Sequence, residues 1–496
     1  MKNKNKEMKI QESDNDRIRE KYKNKIKKHF DELATIREKW IRKADGFYKE
    51  DHLMMREFIP DNSSVLEIGS GNGHLLSSLN PSYGVGVDIS AKMTEIAINN
   101  YKNLTFIKGD VEDLNCIEKI EGKFDFIILS DTVGYFFDIE KTFKILHSFC
   151  KEDTRIIVAY YSPFWEPFLN IASLLKLKMP ELSKALLNEE DISTFLESAG
   201  YETVRKEKKI LFPFKLLGIS RFFNRFLSPL PIFSFFCLRH YVIARSLKTI
   251  STQSPKTATV VIPCRNEKGN IRKALDNLPP FTENIEVIFV EGHSSDGTWA
   301  EIKKVTKENK YKENFNIKSI RQSGKGKANA VFEAFDIASN DVLIILDGDL
   351  TVSPEDIPKF WKKIASGEAE YINGTRLLYP MERSAMFFLN YIANRFFSLL
   401  FSWLLGQRYT DTLCGTKVLR RKHYKKISER NKELGSFDPF GDFFIIFGAS
   451  RLNLKMMEVP IHYKARTYGE TQISRFRHGF LLVKMVLVAF LKIKAI

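Results

Sequence analysis

Cysteine is scarce and unpaired by spacing: Cys116, Cys150, Cys237, Cys264 and Cys414 are the only five in 496 residues, and no two form a CxxC. Such spacing gives no disulfide framework and predicts reduced thiols in a cytosolic setting. The opening MKNKNKEMKIQESDNDR has no apolar core, so a secretory leader is not expected. Long hydrophobic runs are missing as well. Residues 386–405 are broken by Asn390, Asn394 and Arg395, and residues 479–496 carry Lys484, Lys492 and Lys494. Neither reaches the roughly 20 charge-free residues of a spanning helix. Both read as helices lying in a membrane interface or as ordinary core helices. No short-period repeat is present.

What the chain does have is bulk and positive charge. Hydrophobic residues make up 44%, enough for globular cores, and a net charge of +16 with pI 9.3 calls for anionic partners. Length favours two or three domains. The polar, Ser/Thr/Lys-rich stretch 246–257 reads as a linker. Strand–loop–helix alternation starts afresh on either side of it, so two α/β domains with mostly parallel sheets are expected, over 46–245 and 258–478. Residues 1–45 read as a charged helical extension with a solvated start, packing through Phe30, Leu33, Ile36 and Trp40. Residues 479–496 read as an amphipathic membrane-interface tail.

In the first half, SVLEIGSGNGHLL (64–76) is an apolar strand followed by a glycine-rich turn and a helix start. Gly69, Gly71 and Gly73 suit a tight turn close to a ligand. Asp88 ends a second strand about 20 residues on, where a carboxylate can accept both ribose hydroxyls. A third strand ends near Asp110, and a fourth at Ser130 and Asp131. This ordered set resembles the class I S-adenosylmethionine-dependent methyltransferases. The resemblance implies a Rossmann-like fold. Glu67, Gly69, Gly71 and Gly73 would then face the methionine part of the cofactor, Asp88 the ribose, and Asp110 with Val111 the adenine. Asp131, Tyr135 and His147 are possible proton carriers, none of them assigned, and the segment 163–200 would be the lid over the methyl acceptor. An adenine dinucleotide site and a loop that binds nothing are the alternatives.

In the second half, ATVVIPCRNEKGNI (258–271) is a strand ending at Pro263, with Asn266 and Glu267 after it. A second strand ends at Glu291 before a turn with Asp296, and a glycine- and lysine-rich loop holds Lys325 and Lys327. Then DVLIILDGDL (341–350) delivers Asp347 and Asp349 from the end of an apolar strand. An EF-hand loop is excluded, because its glycine at position six and its closing glutamate are missing. The order of motifs resembles family-2 glycosyltransferases of the GT-A fold. That resemblance implies a divalent metal, Mg²⁺ or Mn²⁺, on Asp347 and Asp349, with Gly348 leaving space for the nucleotide. It implies a UDP- or GDP-linked sugar held by Pro263, Asn266, Glu267, Glu291, Asp296, Lys325, Lys327 and Asp347. The Glu291–Gly292 pair departs from the family's two acids and leaves the nucleotide open.

YTDTLCGTKVLRR (409–421) resembles the acceptor loop of polyprenyl- and dolichyl-phosphate sugar transferases, implying acceptor contacts from Asp411, Gly415 and Lys417. Arg466 and Arg475 in the arginine-rich stretch 459–479 suit bidentate contacts to the acceptor phosphate, or pair with nearby acids or lipid headgroups. Asp442 falls where many inverting members keep a general base, so Asp442, Asp349 and Arg466 are the expected catalytic residues. The chain thus reads as two doubly wound α/β domains with amphipathic C-terminal helices. One would be a methyltransferase using S-adenosylmethionine. The other would be a metal-dependent glycosyltransferase acting on a polyprenyl phosphate or glycolipid at the cytoplasmic face of a membrane. The rivals are a glycan-extending transferase acting on a sugar hydroxyl and a scaffold with an inactive head. Nucleic acid is not expected as a partner.

Overall fold

The computed structural model describes residues 2–214, 218–250, 254–308, 314–379, 388–430, 441–464, 466, 468 and 475–495, without side chains for 2–14, 388–391 and 475–479. Two compact units divide the chain, Met1–Ile250 with Ala495–Ile496, and Ser251–Lys494.

The first unit opens with two helices, α1 (Lys2–Lys43) and α2 (Asp45–Phe58). Its strands are β1 (Ser64–Ile68), β2 (Tyr83–Asp88), β3 (Thr105–Lys108), β4 (Phe124–Ser130), β5 (Cys150–Tyr161), β6 (Tyr201–Lys209) and β7 (Arg239–Ser246). They form one sheet in the order β3-β2-β1-β4-β5-β7-β6. The first five strands run parallel, and β7 pairs antiparallel with both β5 and β6. Side chains alternate along β1: Leu66 and Ile68 join the core on one face, and Val65 joins the core on the other with Met54, Met55 and Phe58 of α2. This period of two buries a strand from both sides, so β1 and β4 read as near-continuous apolar runs. Chain order reverses between β1 and β4, which opens a crevice at their carboxyl ends.

α1 packs on this unit through Ile26, Leu33, Ala34 and Ile41, all buried. Phe30 packs beside them, and Trp40 is half-buried under Lys43. Ile36 is exposed, against expectation, because the inward stripe recurs every seven to eight residues and Ile36 falls off it.

The second unit holds β8 (Thr257–Cys264), β9 (Asn284–Glu291), β10 (Phe315–Arg321), β11 (Val342–Ile345), β12 (Tyr371–Thr375), β13 (Lys417–Arg420) and β14 (Met456–Pro460). Their order is β10-β9-β8-β11-β13-β12-β14. The first four are parallel, and β13 runs antiparallel between β11 and β12. One face is covered by helices Lys268–Asp276, Thr298–Lys307 and Ile357–Ala365. The other carries Lys327–Ile337, Phe388–Leu405, Asp442–Arg451 and Arg475–Ala489. Both units are doubly wound α/β, as expected.

The two apolar segments are partly core. Phe397, Phe401, Leu404 and Leu405 of the first are buried, while Ile392, Phe396 and Leu399 face out. In the last helix Leu482, Met485 and Ala489 are buried, and the outward residues Phe480, Val483 and Leu487 are apolar too. Lys484 and Lys492 are exposed beside them. Among the described residues no helix is long and apolar enough to cross a membrane.

Candidate active sites

In the first unit the crevice at the ends of β1 and β2 is a deep cleft. The chain leaves β1 through Gly69, Gly71 and Gly73 at φ of 76°, 53° and 78°, a backbone that other residues rarely adopt. A Cβ at Gly73 would lie 2.6 Å from the Phe106 ring, and one at Gly69 would collide with Thr132. The space these two leave is taken by the unit's own side chains, not by a ligand. At Gly71 the neighbour is Arg37, whose Nε would lie 3.2 Å from an added Cβ.

Asp88 accepts the backbone N–H groups of Gly71 at 2.7 Å and Ser90 at 2.8 Å, and burial raises its pKa. Those bonds brace the glycine turn against β2 and leave one lone pair on each oxygen. Glu67 accepts the Leu76 N–H at 3.1 Å, and burial pushes its carboxyl up to about 8. Asp110 and Val111 line the same cleft.

The far wall comes from α1, whose sequence points to packing on this unit but not to a place in the site. Lys23, Ile26, Phe30, Arg37 and Ile41 all line the cleft. Lys23 pairs with Asp110 at 3.1 Å and also with Glu112, and Arg19 donates to the Glu112 carbonyl at 2.8 Å. Asp31 accepts from the Ser90 hydroxyl at 2.6 Å, just after Asp88. The Arg37 Nε is buried without a hydrogen-bond partner.

Asp131 and Tyr135 line the cleft as well. Asp131 stands at φ 57° and pairs with Arg239, which also holds Asp51 at 2.9 Å and the Ser130 hydroxyl at 2.7 Å. Arg239 is fully buried, and only these carboxylates make that tolerable. The Tyr135 hydroxyl is buried with no hydrogen-bond partner. His147 is placed elsewhere: its nitrogens meet the Ser246 hydroxyl at 2.7 Å and the Ala199 carbonyl at 2.8 Å, and its ring stacks on Tyr201. Outside the cleft and fully bonded, it is structural.

The second unit gathers charge at the carboxyl edge of β11. Asp347 pairs with Lys327 at 2.7 Å, and Asp349 with Arg466 at 2.6 Å. The lysine outweighs the effect of burial and lowers the Asp347 pKa, while Asp347 and Asp442 raise that of Lys327. Asp349 also accepts from the Thr351 N–H at 3.1 Å and hydroxyl at 2.9 Å. Asp442 opens its helix beside Lys417 at 3.2 Å and Lys327 at 3.9 Å, yet its buried Oδ1 has no hydrogen-bond donor. Glu267 lies 3.5 Å from Arg466, and burial lifts its carboxyl to about 7.

Two glycines here make room for protein. A Cβ at Gly348 would sit 2.7 Å from the Pro263 carbonyl, so this gap seats β8 and not a nucleotide. A Cβ at Gly415 would occupy the place of the Asp347 carboxylate.

Several expected ligand contacts are structural pins. Asp411 is fully buried, bidentate to Arg376 at 2.7 and 2.8 Å, and bonded to Asn394 at 3.0 Å. Burial would raise its pKa, but Arg376 and these bonds outweigh that and hold it at about 2. Such a carboxylate has nothing left to offer an acceptor. Lys417 is fully buried and acts on Asp442. Asp296 accepts from Lys268 N at 3.1 Å, Thr298 N at 3.0 Å and the Tyr468 hydroxyl at 3.2 Å, stapling three segments. Asn266 accepts from Ser295 N at 2.9 Å, and Glu291 from Ser294 N while lying 3.5 Å from Arg321. Lys325 is exposed. The Arg475 side chain lies outside the described residues.

Comparison with known proteins finds two family models that match the chain, one in each half. The family described as a methyltransferase domain matches residues 59–205, and glycosyl transferase family 2 matches residues 259–428. The chain therefore joins a methyltransferase domain to a family 2 glycosyltransferase domain in one polypeptide. A low-salt glycan biosynthesis hexosyltransferase of Haloferax volcanii is 26% identical over 47% of this chain, and a dolichol-phosphate mannosyltransferase of Pyrococcus furiosus 29% identical over 24%. The chain spans 53% and 34% of the lengths of these two relatives. Among solved structures, an S-adenosylmethionine-dependent methyltransferase of Thermotoga maritima is 18% identical, with TM-score 0.33, covering 44% of this chain and 97% of its own. Glucosyl-3-phosphoglycerate synthase of Mycobacterium tuberculosis is likewise 18% identical, with TM-score 0.36, covering 49% and 81%.

The sequence reading passed over Arg37, Lys23, Arg239, Arg376 and Thr351. A signal existed for Arg239, since an arginine heading the apolar strand RHYVIARS has to be paired inside.

Proposed function

We propose that the chain is a bifunctional enzyme: a methyltransferase using S-adenosylmethionine, and a metal-dependent glycosyltransferase moving a sugar from a UDP- or GDP-linked donor to a polyprenyl phosphate or glycolipid at the cytoplasmic face of a membrane. The observation that carries it is the meeting of Asp347, Asp349 and Asp442 with Lys327, Lys417 and Arg466 at one sheet edge.

In the methyltransferase head, Glu67 and the glycine turn face the cofactor's methionine part, Asp88 its ribose, and Asp110 with Val111 its adenine. Arg37 meets the α-carboxylate, a reading supported by its unbonded Nε above Gly71. Methyl transfer needs mainly alignment of the nucleophile with the sulfonium, so no base is assigned.

In the glycosyltransferase head, Asp347, Asp349 and the Thr351 hydroxyl are an oxygen-only donor set that fits Mg²⁺ or Mn²⁺. Asp347 and Asp349 would hold the ion, which would offset charge growing on the diphosphate leaving group. Lys327 adds its own positive charge on the same side. Arg466 grips the acceptor phosphate once freed from Asp349, its planar fork suiting two oxygens at once. A phosphate monoester is mostly ionised at neutral pH, its second pKa being about 6. Its oxygen attacks the anomeric carbon as the bond to the diphosphate breaks, and no proton has to be removed. Asp442, fixed by Lys417, then only positions.

The place of Asp442 at this edge, its Oδ1 ion-paired with Lys417 yet without a hydrogen bond, favours a second reading, in which it takes the proton of an attacking sugar hydroxyl. Losing a general base costs about 10²–10⁴-fold in rate. Asp442→Asn and Arg466→Ala separate the two when assayed on membranes with polyprenyl phosphate. A modest loss for the first and a severe one for the second supports lipid phosphate. The reverse order, or full activity on a soluble glycan without lipid, makes Asp442 the base of a glycan-extending enzyme.

A further inference from the structure

The helix Glu166–Leu174 buries none of its side chains. Its apolar residues still keep helical spacing: Phe168, Ile171 and Leu174 stand about one turn apart, and all are exposed, Leu174 at 83%. A surface helix ordinarily turns such a stripe toward the core. This one turns it outward. The helices Ile219–Phe222 and Pro231–Ser234 also bury nothing, leaving Phe222 and Ile232 in the open, Ile232 at 77%.

The two segments touch. Phe164 lies 5.7 Å, ring to ring, from both Phe235 and Phe236, and Trp165 Nε1 donates to the Phe236 carbonyl at 2.8 Å. Charge on them is lopsided. Residues 163–178 hold one acid, Glu166, against the exposed Lys176, with Lys178 paired to Glu181 at 2.6 Å, while residues 210–237 hold no acid and the exposed Arg221. A joined, outward-facing aromatic surface with basic and almost no acidic residues fits the boundary between acyl chains and anionic headgroups. The bases complement the headgroup charge. From Tyr161 the chain runs through this helix to Met179, Glu181 and Lys184, and these four residues line the cofactor cleft.

We infer that this face of the first unit docks on an anionic lipid bilayer and opens the methyltransferase cleft beside it. This inference does not rest on the glycosyltransferase reading.

All five native cysteines are buried, so Leu174→Cys and Ile232→Cys in the full chain accept an environment-sensitive fluorophore selectively. The labelled chains are mixed with phosphatidylcholine vesicles, with and without phosphatidylglycerol, some carrying brominated acyl chains. Both labels should shift to the blue and be quenched by bromine, more strongly with the anionic lipid. Vesicle affinity should fall about tenfold or more when Phe168, Leu174 and Phe235 are all changed to Glu, with unchanged circular dichroism. The inference is overturned if the labels stay in water while the chain sediments with vesicles, if the chain does not sediment at all, or if self-association covers the labels without lipid.

Discussion

Glu67 ends up fully enclosed, with burial holding its carboxyl near pH 8. An unfolded glutamate titrates at about 4.3. The folded state therefore keeps this proton more tightly, and the stability it lends is complete below about pH 4 and gone once pH passes about 8. Glu67→Gln keeps an acceptor for the Leu76 N–H and removes the titration. Urea unfolding without cofactor should find the variant more stable at pH 8, by on the order of 2–4 kcal/mol, and little changed at pH 4.5. An equal difference at both pH values would refute this. Gly415 offers a purely steric test in the other unit, because an added methyl takes the place of the Asp347 carboxylate. Gly415→Ala should slow sugar transfer by about 10²-fold, the usual effect of misplacing a reacting group by about 1 Å. Cofactor binding should be untouched; a sugar-transfer assay reads the first outcome and equilibrium dialysis with S-adenosylmethionine the second.

Among the elements, α1 changes its meaning most between sequence and structure. Its start reads as solvated and its apolar stripe as packing alone, yet Lys23, Asp31 and Arg37 are spent on the cofactor cleft. If Arg37 holds the cofactor's carboxylate, Arg37→Ala should weaken S-adenosylhomocysteine by about tenfold to a hundredfold, as a charge-assisted hydrogen bond is worth about 1.5–3 kcal/mol. The same change should leave 5′-methylthioadenosine, which lacks the carboxylate, unaffected. Calorimetry that finds both ligands weakened alike assigns Arg37 to packing. The strands were far more legible. Parallel strands buried on both faces read as apolar runs, and the acid closing each run, Asp88 or Asp347, lies where the chain leaves the sheet. The arginines were not. Arg239 and Arg376 meet carboxylates remote in the chain, and nothing local to a long flexible side chain says which one. Glycines misled for a related reason. Gly69 and Gly348 mark close approach, but the approaching atoms are Thr132 and Pro263.

At the scale of the molecule, the two units have separate sheets, separate switch points and separate charged clusters. No described residue has to serve in both clusters, so the two chemistries should fail independently. The deciding measurement is a crossed calorimetric titration of three full-length chains, wild type, Asp88→Ala and Asp349→Asn. Each is titrated with S-adenosylmethionine, and with UDP- and GDP-linked sugars in the presence of Mn²⁺. Wild type should bind the methyl donor and one nucleotide sugar. Asp88→Ala should lose about tenfold to a hundredfold in affinity for the first alone, the ribose contact being worth about 1.5–3 kcal/mol. Asp349→Asn should lose only the metal-dependent binding of the second. Wild type that binds neither ligand, or either substitution removing both, would contradict a chain with two transferase heads.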